Sequence, residues 1–162
     1  MEIVVIAHNI RSAHNVGSIF RTCEGFGVSR LILSGYTPAP TFENDDRLPH
    51  IAEKLTAQIH KTALGAEALV PFNYQPEPDL LGLKQKGFTI VALEQDATSI
   101  PLNRFKPPSK IALLLGEEVH GITTELLSLC DQIVEIPMAG AKESFNVSVA
   151  TGIALYGLTT AS

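Results

Sequence analysis

Three short polar stretches hold most of the side chains that could do chemistry in this chain. They are 9–15 (Asn-Ile-Arg-Ser-Ala-His-Asn), 116–121 (Gly-Glu-Glu-Val-His-Gly) and 138–146 (Met-Ala-Gly-Ala-Lys-Glu-Ser-Phe-Asn). In the first, Asn9, Arg11 and Asn15, with Arg21 six residues further on, could grip a phosphate and leave a donor beside a hydroxyl. The plainer alternatives are a helix cap for Asn15 and a solvated surface arginine for Arg21. In the second, glycines bound a turn whose N–H groups could cradle an anion. Glu117 and Glu118 would repel a polyphosphate, so the turn suits a ligand carrying positive charge or hydroxyls. It lacks the Lys-Ser/Thr of a P-loop, and no Gly-x-Gly-x-x-Gly follows a strand pattern. His8, His14 and His120 are too scattered for a zinc signature, so no metal is expected. Ser144 beside a histidine lacks the Gly-x-Ser-x-Gly elbow of a hydrolase.

The elements around these stretches are legible from their periods. Ile3–Ala7 is a continuous, β-branched run, the pattern of a strand buried on both faces. A helix follows with Asn15 as its N-cap, an apolar stripe of Val16, Ile19, Phe20, Cys23 and Phe26, and Gly27 at its C-terminal end. Leu31–Leu33 is the second strand, so the opening is a β-α-β unit. Prolines and acids over Gly35–Pro49 mark a long exposed loop, expected to be mobile or to contact a partner. Helices are predicted over Ile51–Lys61 and Asp79–Lys86, with a short apolar piece near Leu69 and Val70 between them. Strands are predicted at Thr89–Leu93, Ile111–Leu115 and Ile133–Ile136, and a helix capped by Thr123 or Thr124 runs to Cys130. The last helix is capped by Ser144 or Asn146. Val147, Ala150, Ile153, Ala154 and Leu158 give it an apolar face, while Gly152 and Gly157 allow close approach of another backbone. Alternating strands and helices give an α/β fold with a mostly parallel sheet flanked by helices. In such sheets ligands bind beyond the carboxyl ends of the strands, where all three polar stretches emerge.

A chain of 162 residues with 45% apolar and 18% charged residues can bury a full core as one domain over 1–162. No apolar run is long enough to span a membrane, and the N-terminus lacks a signal peptide's basic region. Cys23 and Cys130 sit in apolar segments and look like core residues of a reducing compartment, so the expected location is cytoplasmic. The net charge of -5 argues against a bulk electrostatic grip on nucleic acid and leaves room only for a local basic patch.

Asn15-x-Gly17-x-x-x-Arg21, Leu115-Gly116-Glu117-Glu118-x-x-Gly121 and Ile136-Pro137-Met138-x-Gly140-x-x-x-Ser144-Phe145-Asn146-Val147-Ser148-Val149-Ala150 resemble the three motifs of the SpoU (TrmH-like) RNA 2′-O-ribose methyltransferases of the SPOUT superfamily, in order and spacing. The resemblance spans nearly the whole chain. It implies a C-terminal trefoil knot, a homodimer formed through the knot region, and S-adenosylmethionine held by Leu115, Gly116, Ile136, Met138 and Phe145, with Leu93 as a further wall. It implies Arg21 as the catalytic arginine, serving a cofactor bound largely by the partner subunit. Arg21 would act either as a base working with an RNA phosphate or by steadying the developing alkoxide while phosphate or water takes the proton. Asn15 would orient Arg21 or the ribose, Glu118 would support the loops or the arginine of the partner subunit, and Ser144 and Asn146 would hold the third loop and the substrate. Phe145 stands where the family commonly has leucine, and Glu117 where a small polar or amide residue is common. No separate RNA-binding domain is expected, so substrate choice falls to the Gly35–Pro49 loop and to Arg11, Arg47 and Arg104. The implied function is methylation of a ribose 2′-hydroxyl in structured RNA, tRNA ahead of rRNA. The rivals are a non-catalytic RNA-binding or assembly factor and a small-molecule α/β enzyme.

Overall fold

The structure, a computed structural model, describes residues 1–160. Its strands are β1 (Glu2–His8), β2 (Arg30–Ser34), β3 (Phe72–Gln75), β4 (Thr89–Leu93), β5 (Ile100–Pro101), β6 (Lys110–Leu115) and β7 (Gln132–Glu135). The helices are α1 (Ala13–Gly25), α2 (Pro49–Ala63), α3 (Leu80–Gln85), α4 (Thr124–Ser128) and α5 (Val147–Thr160), with 3-10 turns at Ala66–Ala68 and Leu102–Arg104. The seven strands form one sheet in the order β3-β2-β1-β6-β4-β7-β5, and every strand pairing is parallel.

Alternation along the central strands sorts side chains between two apolar layers. Ile3, Val5 and Ala7 of β1, with Ile111, Leu113 and Leu115 of β6, face one cluster with α1, α2 and α5. Val4 and Ile6, with Ala112 and Leu114, face the other, closed by Leu80 of α3 and by Leu126 and Leu127 of α4. Coverage on both faces is what an all-parallel sheet requires. The chain runs outward from β1 to β2 and β3 on one side, and β6 begins the other. The β1/β6 boundary is therefore the crevice where loops diverge from the carboxyl ends.

The structure corrects several local expectations. Ser12, not Asn15, caps α1, its Oγ accepting from the Asn15 N–H at 3.2 Å. Both residue types cap well, so the sequence alone does not separate them, and the difference leaves the Asn15 side chain free for other work. The apolar piece at Leu69–Val70 follows a 3-10 turn, and β3, where no strand is predicted, begins at Phe72. β5 is an edge strand of two residues that the sequence reading did not contain. The first part of the 35–49 loop is built into the fold: Thr37 and Ala39 are buried. The Thr37 hydroxyl donates to the Ala7 carbonyl and accepts from the Ile10 N–H.

Gly17 explains how α1 and α2 cross. A Cβ there would overlap Thr62 Oγ1 and the Ile59 carbonyl oxygen and lie 3.0 Å from the Ala63 nitrogen, so only glycine lets α2 this close. Of the two glycines of α5, Gly157 lies against Leu102, while Gly152 meets only Thr22 Cγ2 at 3.8 Å. The buried face of α5 is Thr151, Ala154, Leu155 and Leu158, turned from the expected stripe, which leaves Val149 and Tyr156 exposed. Cys23 is fully buried and its thiol is pushed up to about 12 by burial; Cys130 is half-buried and pushed up to about 11 for the same reason. Neither is a reactive thiolate.

Candidate functional site

Each of the three polar stretches leaves the carboxyl end of a strand, and their side chains tie them to one another. Ser12 caps α1, so Asn15 projects its amide from the first turn. Asn15 Nδ2 donates to Glu118 Oε1 at 3.1 Å, and the Arg11 N–H donates to Glu118 Oε2 at 3.1 Å. Asn146 Nδ2 donates to Asn15 Oδ1 at 3.1 Å. The other end of the Asn146 amide starts α5, its Oδ1 accepting from the Ser148 N–H at 2.9 Å and hydroxyl at 2.7 Å. Asn146 rather than Ser144 is thus the cap. Glu118, Asn15 and Asn146 form one continuous relay across loops more than 100 residues apart in the chain.

The 116–121 turn is a small hairpin, with Glu117 and Gly121 exchanging backbone hydrogen bonds. Gly116 is required where the turn folds back: a Cβ there would lie 2.5 Å from Ile122 Cγ1 and 2.6 Å from the Gly121 carbonyl carbon. The Glu117 carboxylate is buried, accepts from the His120 N–H at 2.6 Å, and has Arg11 Nε 2.8 Å from Oε1. That nitrogen lies off the hydrogen-bond direction, so Oε1 is ion-paired without a hydrogen bond of its own. A fourth loop, after β4, braces the others. Glu94 Oε2 accepts from the Ile122 N–H at 2.9 Å, and Gln95 Nε2 donates to the Glu143 carbonyl at 2.7 Å.

These loops enclose a cavity of about 340 Å³. Its apolar walls include Leu93, Leu115, Ile136, Met138 and Phe145, and Gly116 and Ser144 also line it. Five carboxylates border it (Glu94, Glu117, Glu118, Glu135 and Glu143), with no lysine or arginine among the lining residues. Such a cavity favours a ligand with flat or aliphatic apolar parts and a positive charge.

The other candidates lie apart from it. Arg21 lies six positions after Asn15, about 9 Å along α1 and about 120° around it. Arg21 accordingly faces a cleft between α1 and α2, with Ser18, Thr22, Lys61 and Thr62. Arg47 is held inside its own loop: it pairs with Asp45, donates to the Ala39 carbonyl at 3.0 Å and the Pro40 carbonyl at 3.1 Å, and lies over the Phe42 ring. Those contacts direct the guanidinium inward, and a phosphate would have to displace them. Arg104 is exposed on its 3-10 turn, without a hydrogen bond or ion pair among the described residues. Arg11 is bound to Glu117 while its side chain stays 60% exposed.

The SpoU rRNA methylase family model matches residues 2–156. The chain belongs to this family. A tRNA (guanosine(18)-2′-O)-methyltransferase of Aquifex aeolicus is 31% identical over 155 residues, covering 96% of this chain and 67% of that protein. A 23S rRNA (guanosine-2′-O-)-methyltransferase of Nitrosomonas europaea is 32% identical over 160 residues, covering 95% of this chain and 54% of that protein. This SpoU-family chain thus spans about half to two-thirds of these relatives. Among solved structures, an AdoMet-bound rRNA methyltransferase from Sinorhizobium meliloti superimposes with a TM-score of 0.79 at 26% identity, over 97% of this chain and 55% of that one. The TrmH/SpoU tRNA modifying enzyme of A. aeolicus superimposes with a TM-score of 0.79 at 29% identity, over 97% of this chain and 73% of that one.

Two electrostatic features of the SpoU-family site follow from its packing. Burial acts to raise the Glu118 carboxyl, but the Arg11 N–H and the Asn15 amide outweigh it and hold the group below the usual carboxylate range. A depressed carboxyl contributes stability that is present above its ordinary value and lost as pH falls through the folded value. Glu118→Gln should therefore melt below the native protein at neutral pH. The gap should narrow as pH falls below about 4.5, and thermal melts of both proteins from pH 7 to pH 3 would check it. The second feature is His8. Burial lowers it, against an opposing pull from Glu77, and it sits between Ser34 Oγ at 2.9 Å and the Asn9 amide at 3.1 Å. Since that amide nitrogen only donates, Nε2 accepts and Nδ1 carries the proton toward Ser34.

Sequence reasoning missed the fourth loop. Glu94 and Gln95 directly follow β4, and their one available signal was that position at a strand's carboxyl end.

Proposed function

We propose that this chain transfers a methyl group to a ribose 2′-hydroxyl of structured RNA, with tRNA as substrate ahead of rRNA. The observation that carries the reading is the acidic, apolar-walled cavity at the carboxyl ends of the strands, joined to α1 by the Glu118–Asn15–Asn146 relay. S-adenosylmethionine suits this donor set. Leu93, Leu115, Ile136, Met138 and Phe145 offer apolar surface, the bordering carboxylates favour its positive charges, and glycine at 116 keeps the turn folded tightly against the cavity. When bound, it supplies an electrophilic methyl group on a sulfonium.

The chain's own residues would position and stabilise. The 2′-oxygen must meet the methyl carbon in line with the breaking sulfur–carbon bond, and fixing that approach is a contribution the protein can make by positioning alone. The hydroxyl proton leaves as the new carbon–oxygen bond forms. Arginine keeps its own proton, so Arg21 would stabilise the developing alkoxide while an RNA phosphate or water takes the hydroxyl's. Asn15 and Asn146 tie the 9–15 and 138–146 loops together, with Glu118 as their anchor, and Ser144 would offer the substrate an uncommitted hydroxyl.

We further propose a homodimer built through α5. This helix is apolar nearly all round, and in one subunit Val149 and Tyr156 remain exposed. A helix of that kind calls for cover on its open side, and a second copy of the same face provides it. In that dimer Arg21 would serve the partner's cavity. We place a trefoil knot in residues 116–160, with the last segment threaded through the turn that follows β6. The enzyme would work in the cytoplasm; no helix among the described residues is long and apolar enough to cross a membrane.

Methyl transfer from labelled S-adenosylmethionine to total cellular tRNA and rRNA tests the reading. Label at a 2′-O-methylated nucleotide of tRNA is the expected result, and label in rRNA alone would move the substrate. RNA binding without any transfer would overturn the reading in favour of a non-catalytic RNA-binding factor.

A further inference from the structure

One basic feature lies outside the cavity. Ser18, Arg21 and Thr22 occupy one side of α1, at the three- and four-residue steps that share a helix face. Opposite them stand Lys61 and Thr62 of the last turn of α2, and Leu64 just beyond it. Together these six residues line an open cleft of about 450 Å³. Its position is not accidental to the family motif, because Gly17 is what allows α2 to close on α1. The Thr62 hydroxyl then fastens the crossing by donating to the His14 carbonyl at 2.8 Å.

The charges in this cleft are uncompensated. Arg11, Arg47, Lys84 and Lys110 each pair with a carboxylate. Arg21 and Lys61 make no hydrogen bond or ion pair among the described residues, and no carboxylate lines the cleft. Glu67, close to the end of α2, is taken by His60 and the Gly65 N–H. Glu24, one turn after Arg21, is not among the lining residues. The carboxyl end of α2 carries a partial negative charge, which the full charge of Lys61 outweighs. In a protein of net charge -5, two cations without partners on the hydroxyl-bearing walls of one cleft make a local positive patch.

We propose that Lys61 is a further positioning residue, holding an RNA backbone phosphate in this cleft beside Arg21. The assignment rests on the methyltransferase reading for the identity of the polyanion and adds to it a residue outside the three motifs. Lys61 fixes the phosphate, and Arg21 remains next to it with donors left for the ribose.

The test measures binding of unfractionated tRNA across a salt series, alongside methyl transfer, for the native protein, Lys61→Met, Lys61→Arg and the distant control Lys86→Met. Lys61 is exposed, so unchanged melting temperatures are expected throughout. Lys61→Met should bind tRNA about tenfold more weakly and lower the slope of log affinity against log salt by about one. Its KM for RNA should rise more than its kcat falls. Lys61→Arg and Lys86→Met should stay close to the native protein. Native methyl transfer together with unchanged binding and salt slope in Lys61→Met would overturn the subsite alone. Salt-sensitive binding that Lys61→Met weakens, with no methyl transfer by the native protein, would overturn the methyltransferase reading and leave the subsite standing. Absence of tRNA binding by the native protein would overturn both.

Discussion

Two inactive variants of this protein, mixed and allowed to exchange subunits, should regain methyl transfer. Arg21→Ala removes the guanidinium that does not line its own subunit's cavity. Met138→Trp fills the cavity from a half-buried loop position and leaves α1 untouched. Each alone should lose at least about 100-fold in rate, the usual cost of removing a transition-state donor or its binding partner. In a two-fold dimer with shared sites, a mixed pair holds one complete site, an intact cavity on one subunit facing an intact Arg21 on the other. Random pairing of equal amounts then restores about a quarter of the native sites. No recovery, with mixed dimers demonstrated by two different tags, would mean that Arg21 works within its own subunit or in no catalytic role.

The second large effect is on stability, and it sets two glycines of one helix against each other. Gly17→Ala places a methyl group into the Ile59 carbonyl oxygen and Thr62, where α2 cannot move away without leaving the core through Ile59 and Ala63. We expect a loss of about 1–3 kcal/mol, as for other overpacked cores, at about 2–4 °C of Tm per kcal/mol for a chain of this size. Gly25→Ala, at the end of α1 with no atom within 4 Å of the added carbon, should gain about 0.5 kcal/mol by restricting the unfolded chain. Thermal melting of both variants checks the pair. Equal effects would mean that the α1–α2 crossing is looser than described. Because Gly17 also sets the distance between Lys61 and Arg21, its variant should bind tRNA less tightly than its melting alone would account for.

The class of fold was legible because its evidence is local. Continuous apolar strands such as Ile3–Ala7 and Ile111–Leu115 can only be buried on both faces, and the sheet places them there. The order of strands was not legible: nothing in β1 says that its second neighbour begins at residue 110. β3 escaped because Phe-Asn-Tyr-Gln at a sheet edge is half-buried and shows no apolar run. The residues expected to hold a cofactor line one cavity, since motif spacing reports which strand ends they leave. Polar side chains were harder, because their roles depend on partners distant in sequence. Asn15 looked like a cap until Ser12 took that place, and Arg47 looked available for RNA until Asp45 and two carbonyls engaged it. Lys61, on a helix outside every motif, gave no signal at all.

The position of β1 also governs the order in which this protein can assemble. It precedes every other strand of this sheet in the chain, yet it belongs in the middle, between β2 and β6, with Glu2 opposite Lys110 and Ala7 opposite Leu115. At about 5–20 residues per second, roughly 5–20 s pass between synthesis of β1 and of β6. Throughout that interval one side of β1 is an open, strongly apolar edge with unpaired N–H and C=O groups. An edge that the finished molecule hides completely is the one most exposed to wrong pairing while the chain is being made. The hazard of aggregation for this sequence is therefore set by the timing of translation and by whatever shields nascent chains, and the surface of the mature fold gives no sign of it.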